Sequence, residues 1–196
     1  PHQSGAKRSV PIAFWRVRST SILYAIAYDD SAGTWGTPVQ MDASHGGFGL
    51  TLSSAYIRST GRVAVGWMSP GDGVNPDTLK TATVLGTATI TTTTNVLTAV
   101  PYAINVALQV NANGDIYCAY CRDPAGLSHS NHETFYKVST DTMATWGVET
   151  DYSTLSPAHL MDGLFADPSP NVNLFMPAYL TSVAAPGGSD LYVEVP

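Results

Sequence analysis

Residues 139–147 read S-T-D-T-M-A-T-W-G, and a looser copy, Y-D-D-S-A-G-T-W-G, occupies residues 28–36. Both hold an aspartate, three further residues and then Thr-Trp-Gly: Asp30 with Thr34, Trp35 and Gly36, and Asp141 with Thr145, Trp146 and Gly147. Each follows a strand-like run, I-L-Y-A-I-A-Y at 22–28 and E-T-F-Y-K-V at 133–138. A short carboxylate at such a place accepts from backbone N–H groups that the turn leaves without partners. The hydroxyl of Ser139, Thr34 or Thr145 adds a second local bond. A tryptophan folded under the turn buries roughly 150–250 Å². These turns specify structure rather than chemistry.

The rest of the chain falls into repeats around them. Strands are expected at 10–17 and 22–28, then a short one at 37–41 after the first turn. A second pass has strands at 49–57, 62–68, 79–85 and 87–94, with turns at 59–61 and 69–77. A third has 102–110, a turn at 111–114, 115–122, a loop at 123–132, 133–138 and a short strand near 148–152. A fourth has 159–166, 172–180 and 191–195. Trp15, Trp67, Tyr120 and Tyr179 fall at equivalent ends of one strand per pass, 52, 53 and 59 residues apart. A period near 50 with about four short strands per unit is the pattern of a β-propeller blade.

The repeated strands are apolar on both faces. Ile116, Cys118 and Tyr120 point one way and Tyr117, Ala119 and Cys121 the other; Val63, Val65 and Trp67 oppose Ala64, Gly66 and Met68. A sheet with one wet face alternates instead. Blades stacked between two others bury both faces, and the small Ala64, Gly66 and Ala119 suit close contact. A β-sandwich is the alternative. The first pass starts at a second strand and the last ends at a third, so the expected blades, about 9–43, 49–97, 101–153 and 157–196, are incomplete at both ends. Either the ends meet, or a larger ring or a partner completes them.

The pattern S-x-D-x-x-x-T-W at Ser139, Asp141, Thr145 and Trp146 resembles the Asp-box of sialidase-like propellers, the bacterial neuraminidase repeat family. Asp30, Thr34 and Trp35 match the same positions, with Tyr28 where the family prefers Ser. The family's central glycine is replaced by Ala32 and Met143. The resemblance implies an all-β fold of sialidase-type blades, each of about four antiparallel strands. It also places the boxes on the blade periphery, so a functional surface is expected at the opposite end of the strands. A sialidase site needs three arginines that grip a carboxylate with bidentate geometry, a tyrosine beside a glutamate, and an acid/base aspartate. The nearest run to the family's Arg-Ile-Pro motif, Phe14-Trp15-Arg16-Val17, is not a match. Only Glu133, Glu149 and Glu194 are available to partner a tyrosine.

Composition narrows the partners. The 196 residues carry a net charge of −6, with 12% charged and 44% hydrophobic residues. With three lysines and no basic patch, nucleic acid is not an expected partner. No run approaches the roughly 20 apolar residues of a membrane span. The chain opens on Pro1 within polar sequence, as expected of a processed or partial polypeptide. Low charge and high threonine content fit an extracellular or virion surface.

Three constellations carry candidate chemistry. Arg122, Asp123, His129 and His132, beside Tyr120, Tyr117 and Tyr136, form the most polar long loop and are the candidate glycan contacts. Cys118, Cys121, His129 and His132 have the residue types of a zinc site, but cysteines three apart in a strand face opposite ways. Buried free thiols are therefore the plainer reading, and no cofactor is expected. Gly71, Asp72, Gly73, Asn75 and Asp77 form a loose oxygen-rich loop without the spacing of an EF-hand. The expected function is a non-catalytic structural or receptor- and glycan-binding module of a virion or cell-surface assembly such as a phage tail. It would be homo-oligomeric or part of a larger assembly. The alternatives are a sialidase-like glycoside hydrolase and a secreted scaffold.

Overall fold

The computed structural model describes residues 11–42 (except 18 and 21), 52–69, 77–84, 94–100, 104–123 and 133–151. It also describes the backbone of three strands at 159–166, 175–181 and 190–193. Among these residues there are fifteen strands and no helix, in four sheets that follow chain order. All the pairings are antiparallel.

Blade 1 has β1 (Ile12–Arg16) paired with β2 (Leu23–Asp29), while β3 (Thr34–Trp35) and β4 (Val39–Asp42) both pair with β2. Blade 2 runs in order through β5 (Leu52–Ile57), β6 (Arg62–Ser69), β7 (Asp77–Val84) and β8 (Thr94–Val100). Blade 3 does the same through β9 (Ile104–Val110), β10 (Ile116–Arg122), β11 (Glu133–Ser139) and β12 (Thr150–Asp151). Blade 4 has β13 (His159–Ala166), β14 (Phe175–Thr181) and β15 (Asp190–Val193). The fold is an all-β stack of propeller blades. The described fourth strand of blade 2 is Thr94–Val100; the strand expected at 87–94 falls almost wholly on residues 85–93, which lie outside the described part.

Both faces of β6 and β10 are buried, because apolar residues occupy odd and even positions alike. Ile116, Cys118 and Tyr120 meet Ala64, Met68 and Leu79 of blade 2, with Val106, Leu108 and Phe135 in the same cluster. On the other face, Tyr117, Ala119 and Cys121 cluster with Ala107. Val65, Trp67, Ala82 and Val84 pack on Leu23, with Ile12, Phe14 and Met41 of blade 1 around them. The small residues set the spacing. A Cβ on Gly66 would lie 3.1 Å from Leu108 Cδ1 of blade 3, tighter than almost any real contact. Polar bonds cross the seams as well: Arg16 Nη2 donates to Met68 O at 2.9 Å, Leu108 N to Ser53 Oγ at 2.9 Å, and Lys137 Nζ to Val96 O at 3.2 Å.

The two Thr-Trp-Gly turns close alike but are built differently. Gly36 N donates to Ala27 O at 2.9 Å, and Gly147 N to Val138 O at 2.8 Å, the same nine-residue span. In the second turn Asp141 accepts from Thr145 N at 2.9 Å, Thr145 Oγ1 at 2.5 Å and Ser139 Oγ at 2.7 Å. Those bonds, the Thr145 hydroxyl first, pull its carboxyl down to about 2. Trp146 packs half-buried against the seam of blades 2 and 3. In the first turn the capping carboxylate is Asp29, one residue before the Asp30 of the pattern. Asp29 Oδ1 accepts from Ser31 Oγ at 2.6 Å, Ser31 N at 2.9 Å and Ala32 N at 3.2 Å. Gly33 takes the left-handed φ of +67° there, so the turn tightens and moves its cap. Trp35 is 47% exposed, edge-on to Tyr28 at 5.4 Å, and is not a buried plug.

Candidate functional site

The end of blade 3 away from the Ser139 turn is marked by the pairing of Arg122 with Glu133; Ile116 pairs with Ser139 at the other. Tyr120 and Asp123, expected to touch a ligand, are 0% and 2% exposed. The Tyr120 hydroxyl donates to Glu149 Oε2 at 2.6 Å. Arg122 gives two more bonds to the same carboxylate, Nε to Oε2 at 3.2 Å and Nη2 to Oε1. Its guanidinium also lies 4.2 Å from the centre of the Phe135 ring. Burial alone would raise Glu149, but the bonds from Arg122 and Tyr120 hold it below the usual carboxylate range. Burial and the bond to Glu149 push the Tyr120 phenol up. Burial, with Asp151 nearby, raises Glu133. His129 and His132 lie outside the described residues.

A second carboxylate does similar work between blades 1 and 2. Asp42 of β4 accepts from Trp67 Nε1 at 2.8 Å and from Lys80 Nζ at 3.0 Å. Burial would raise Asp42, and the Trp67 and Lys80 bonds bring it below its ordinary value. Trp67 and Tyr120 are equivalent positions of the repeat, and each of these two aromatics finds a carboxylate on an outer strand or just before it. The wiring differs: Asp42 reaches across a seam, whereas Glu149 stays within its own blade. The Asp42 cluster joins blades 1 and 2, and the Glu149 cluster ties together strands of blade 3, where the expected glycan contacts Tyr120 and Arg122 are engaged inside the protein.

The zinc alternative fails on geometry for its cysteines. Cys118 belongs to the face toward blade 2 and Cys121 to the opposite face. Cys121 Sγ lies 3.7 Å from Thr134 Oγ1, and burial pushes the Cys118 thiol far up. Among the described residues no group of three or more His, Cys, Asp or Glu could hold a metal. The loop at 71–76 lies outside the described part.

A cavity of about 400 Å³ opens at the other end, between the β5–β6 turn and the β9–β10 turn. Tyr56, Arg58, Ser59, Gln109 and Asn111 give it polar groups, over Ala55, Val110, Ala112 and Gly114. Both walls are rigid turns. Gly61 N donates to Ile57 O at 2.9 Å with Gly61 at φ +67°. Asn111 N donates to Asp115 O at 3.0 Å, and the Asn111 side chain donates back to Asp115 Oδ2 and accepts from its N–H. Gly114, at φ +93°, leaves room beside Ser59. Arg58 and Tyr56 are exposed, and among the described residues no carboxylate lines the cavity. Such a mouth offers an aromatic edge, a guanidinium and amide groups. Sequence reasoning read 59–61 and 111–114 as equivalent turns, which sets them side by side. It did not see the space between them, and it looked at the opposite end of the blades.

No family model matches the chain, and no curated protein matches it. Solved structures do. A polysaccharide lyase, an ulvan lyase, superposes with TM-score 0.63 at 15% identity, over 94% of this chain and 46% of its own. An α-L-arabinanase from Penicillium chrysogenum complexed with arabinobiose gives TM-score 0.63 at 13% identity, over 96% and 61%. An α-L-arabinofuranosidase from Fusarium graminearum with an iminosugar inhibitor gives 0.54 at 12% identity, over 94% and 57%. The chain thus spans roughly half to three-fifths of the length of these structures. At such identities the likeness is one of fold.

Proposed function

We propose that this chain is a carbohydrate-binding propeller module that does not itself hydrolyse its ligand. The observation that carries the reading is the cavity between the 57–62 and 110–116 turns. A sugar ring needs an apolar or aromatic face for its C–H groups and a few fixed polar partners for its hydroxyls. Ala55 and Val110 supply the first, and Arg58, Ser59 and Gln109 supply the second. Glycoside hydrolysis in its usual form needs two carboxylates flanking the bond, and among the described residues this lining contains none. The likeness to an ulvan lyase and to arabinan-degrading enzymes supports a saccharide as the ligand. The low charge and the Asp-box resemblance fit display on an extracellular or virion surface.

A glycan array followed by calorimetry on the best ligand tests this. Binding that Arg58→Ala or Gln109→Ala weakens tenfold or more, at unchanged melting temperature, is the expected result. Absence of binding to neutral and acidic glycans alike would overturn it.

A second reading, a glycoside hydrolase, draws on the other end. There Glu133 is held up and Glu149 down, on either side of Arg122. Carboxylates pushed apart in this way can divide acid and base roles. The engagement of Glu149 by Arg122 and Tyr120 favours a structural role. Release of reducing sugar from arabinan, ulvan or a sialoside, lost in Glu133→Gln, would establish the hydrolase instead.

A further inference from the structure

Two cations of the described part stand apart from the others. Arg16 Nη2 donates to Met68 O and Lys137 Nζ to Val96 O, while Lys80 pairs with Asp42 and Arg122 with Glu149. Each of these charges holds strands or blades together. Among the described residues, Arg58 and Arg62 make no side-chain hydrogen bond and no ion pair. They flank a single turn: Arg58 follows Ile57 at the end of β5, and Arg62 opens β6.

That turn forms one wall of the cavity between blades 2 and 3. Arg58 lines the cavity and is exposed. The position of Arg62 follows from the register, because directly opposed residues of an antiparallel pair share a face, as do alternate residues along a strand. Ala55 is opposite Ala64 and Ile57 opposite Arg62. Arg62 therefore shares the face on which Ala55 floors the cavity and Ile57 packs toward blade 3. The wall of blade 3 is close by: a Cβ on Gly114 would meet Ser59 Oγ at 3.5 Å. No carboxylate among the described residues lines the cavity. Asp115, next along the chain from its far wall, accepts from the Asn111 amide at 3.0 Å.

We infer that the cavity selects saccharides bearing an anionic group, a uronate carboxylate or a sulfate ester, and that Arg58 and Arg62 read that group. The inference rests on the carbohydrate-binding reading above and adds the class of sugar. A guanidinium presents its donors as a planar fork that fits two oxygens of a carboxylate or sulfate side by side. A neutral sugar offers only hydroxyls and would leave both charges uncompensated. Arg58 takes the anionic group at the cavity mouth, Arg62 adds a second positive charge from the adjoining face, and the sugar ring rests on Ala55 and Val110. The chain as a whole carries a net charge of −6, which repels polyanions at a distance. A preference for an acidic sugar therefore has to arise by contact at this turn.

The test is calorimetry on the 196-residue chain with matched pairs of oligosaccharides. One pair is an oligogalacturonate and the same oligomer with its carboxyl groups reduced to alcohols; the other is a sulfated galactan oligomer and its desulfated form. At least one acidic member should bind about tenfold more tightly than its neutral partner, and the pair that shows the difference identifies the anion. The preference should vanish in Arg58→Gln and shrink in Arg62→Gln, with the melting temperature of both variants unchanged. Arg58→Lys should keep only part of it, because an ammonium has no fork. Equal binding of acidic and neutral members refutes the inference and leaves the carbohydrate-binding reading standing. A preference that survives in both glutamine variants places the anion elsewhere and refutes it too. If no member binds, the carbohydrate-binding reading itself fails, and the inference with it.

Discussion

The Tyr120 hydroxyl and the Glu149 carboxylate meet at 2.6 Å, with Arg122 bonded to the same carboxylate and stacked on Phe135. A tyrosine with no solvent exposure therefore has its one polar atom satisfied by a charged partner. Tyr120→Phe should cost about 1.5–3 kcal/mol, the range for hydrogen bonds to charged groups, measured by urea unfolding. The same change should move the acid limb of the stability profile upward. Glu149 has a folded pKa below its unfolded one, so its contribution is present above the unfolded value and is lost as pH falls through the folded one. With one donor removed, that loss begins at higher pH. An unshifted acid limb would show that Glu149 does not depend on Tyr120.

Asp141 gives a second pH signature. Its carboxyl sits at about 2 in the folded protein, against roughly 3.9 unfolded. The stability it lends is complete above about pH 4 and disappears as pH falls toward about 2. Asp141→Asn should remove this component, so the mutant's stability changes less than the parent's between those values. Amide exchange at Thr145, whose N–H Asp141 accepts, should quicken in the mutant at neutral pH. Equal exchange in both proteins would show that the carboxylate does not hold the turn.

The two tryptophans of the repeated turn should behave differently. Trp146 packs into the seam cluster, so Trp146→Ala should destabilise by about 3 kcal/mol, the low end for large aromatic truncations. Trp35 is 47% exposed and rests on Tyr28, so Trp35→Ala should cost only about 0.5–1.5 kcal/mol, the worth of an aromatic pair. Similar melting-temperature losses for the two would contradict this asymmetry.

Thr142 and Met143 take left-handed φ values of 62° and 69°, where a β-branched side chain is strained. Thr142→Gly should stabilise by about 0.5–1 kcal/mol, the relief of strain less the added freedom of the unfolded chain. Met143→Gly should not, because Met143 is 3% exposed within the seam core and losing its side chain outweighs the relief. Chemical denaturation of both variants checks the pair of signs.

Much of the fold was legible because the signals are local. Apolar residues at every position of 63–68 and 116–121 required two buried faces, and the near-50 repeat ordered the strands. The strand expected at 87–94 falls on a threonine run that lies almost wholly outside the described residues. In the first turn the sequence pattern pointed to Asp30, whereas the structure shows Asp29 accepting from Ser31 and Ala32. His129 and His132 lie outside what the structure describes.

By itself the sequence determined the blade repeat, the inner and outer faces of each central strand, and the opposite orientations of Cys118 and Cys121, because alternation along a strand is fixed by backbone geometry. The tertiary structure alone decided which polar groups are free. Arg122 and Tyr120 are consumed by Glu149, a residue 27 to 29 positions away, while Arg58 of the β5–β6 turn and Gln109 of β9 line one cavity between two blades. Such pairings depend on how neighbouring blades stack, and distance along the chain carries no record of them.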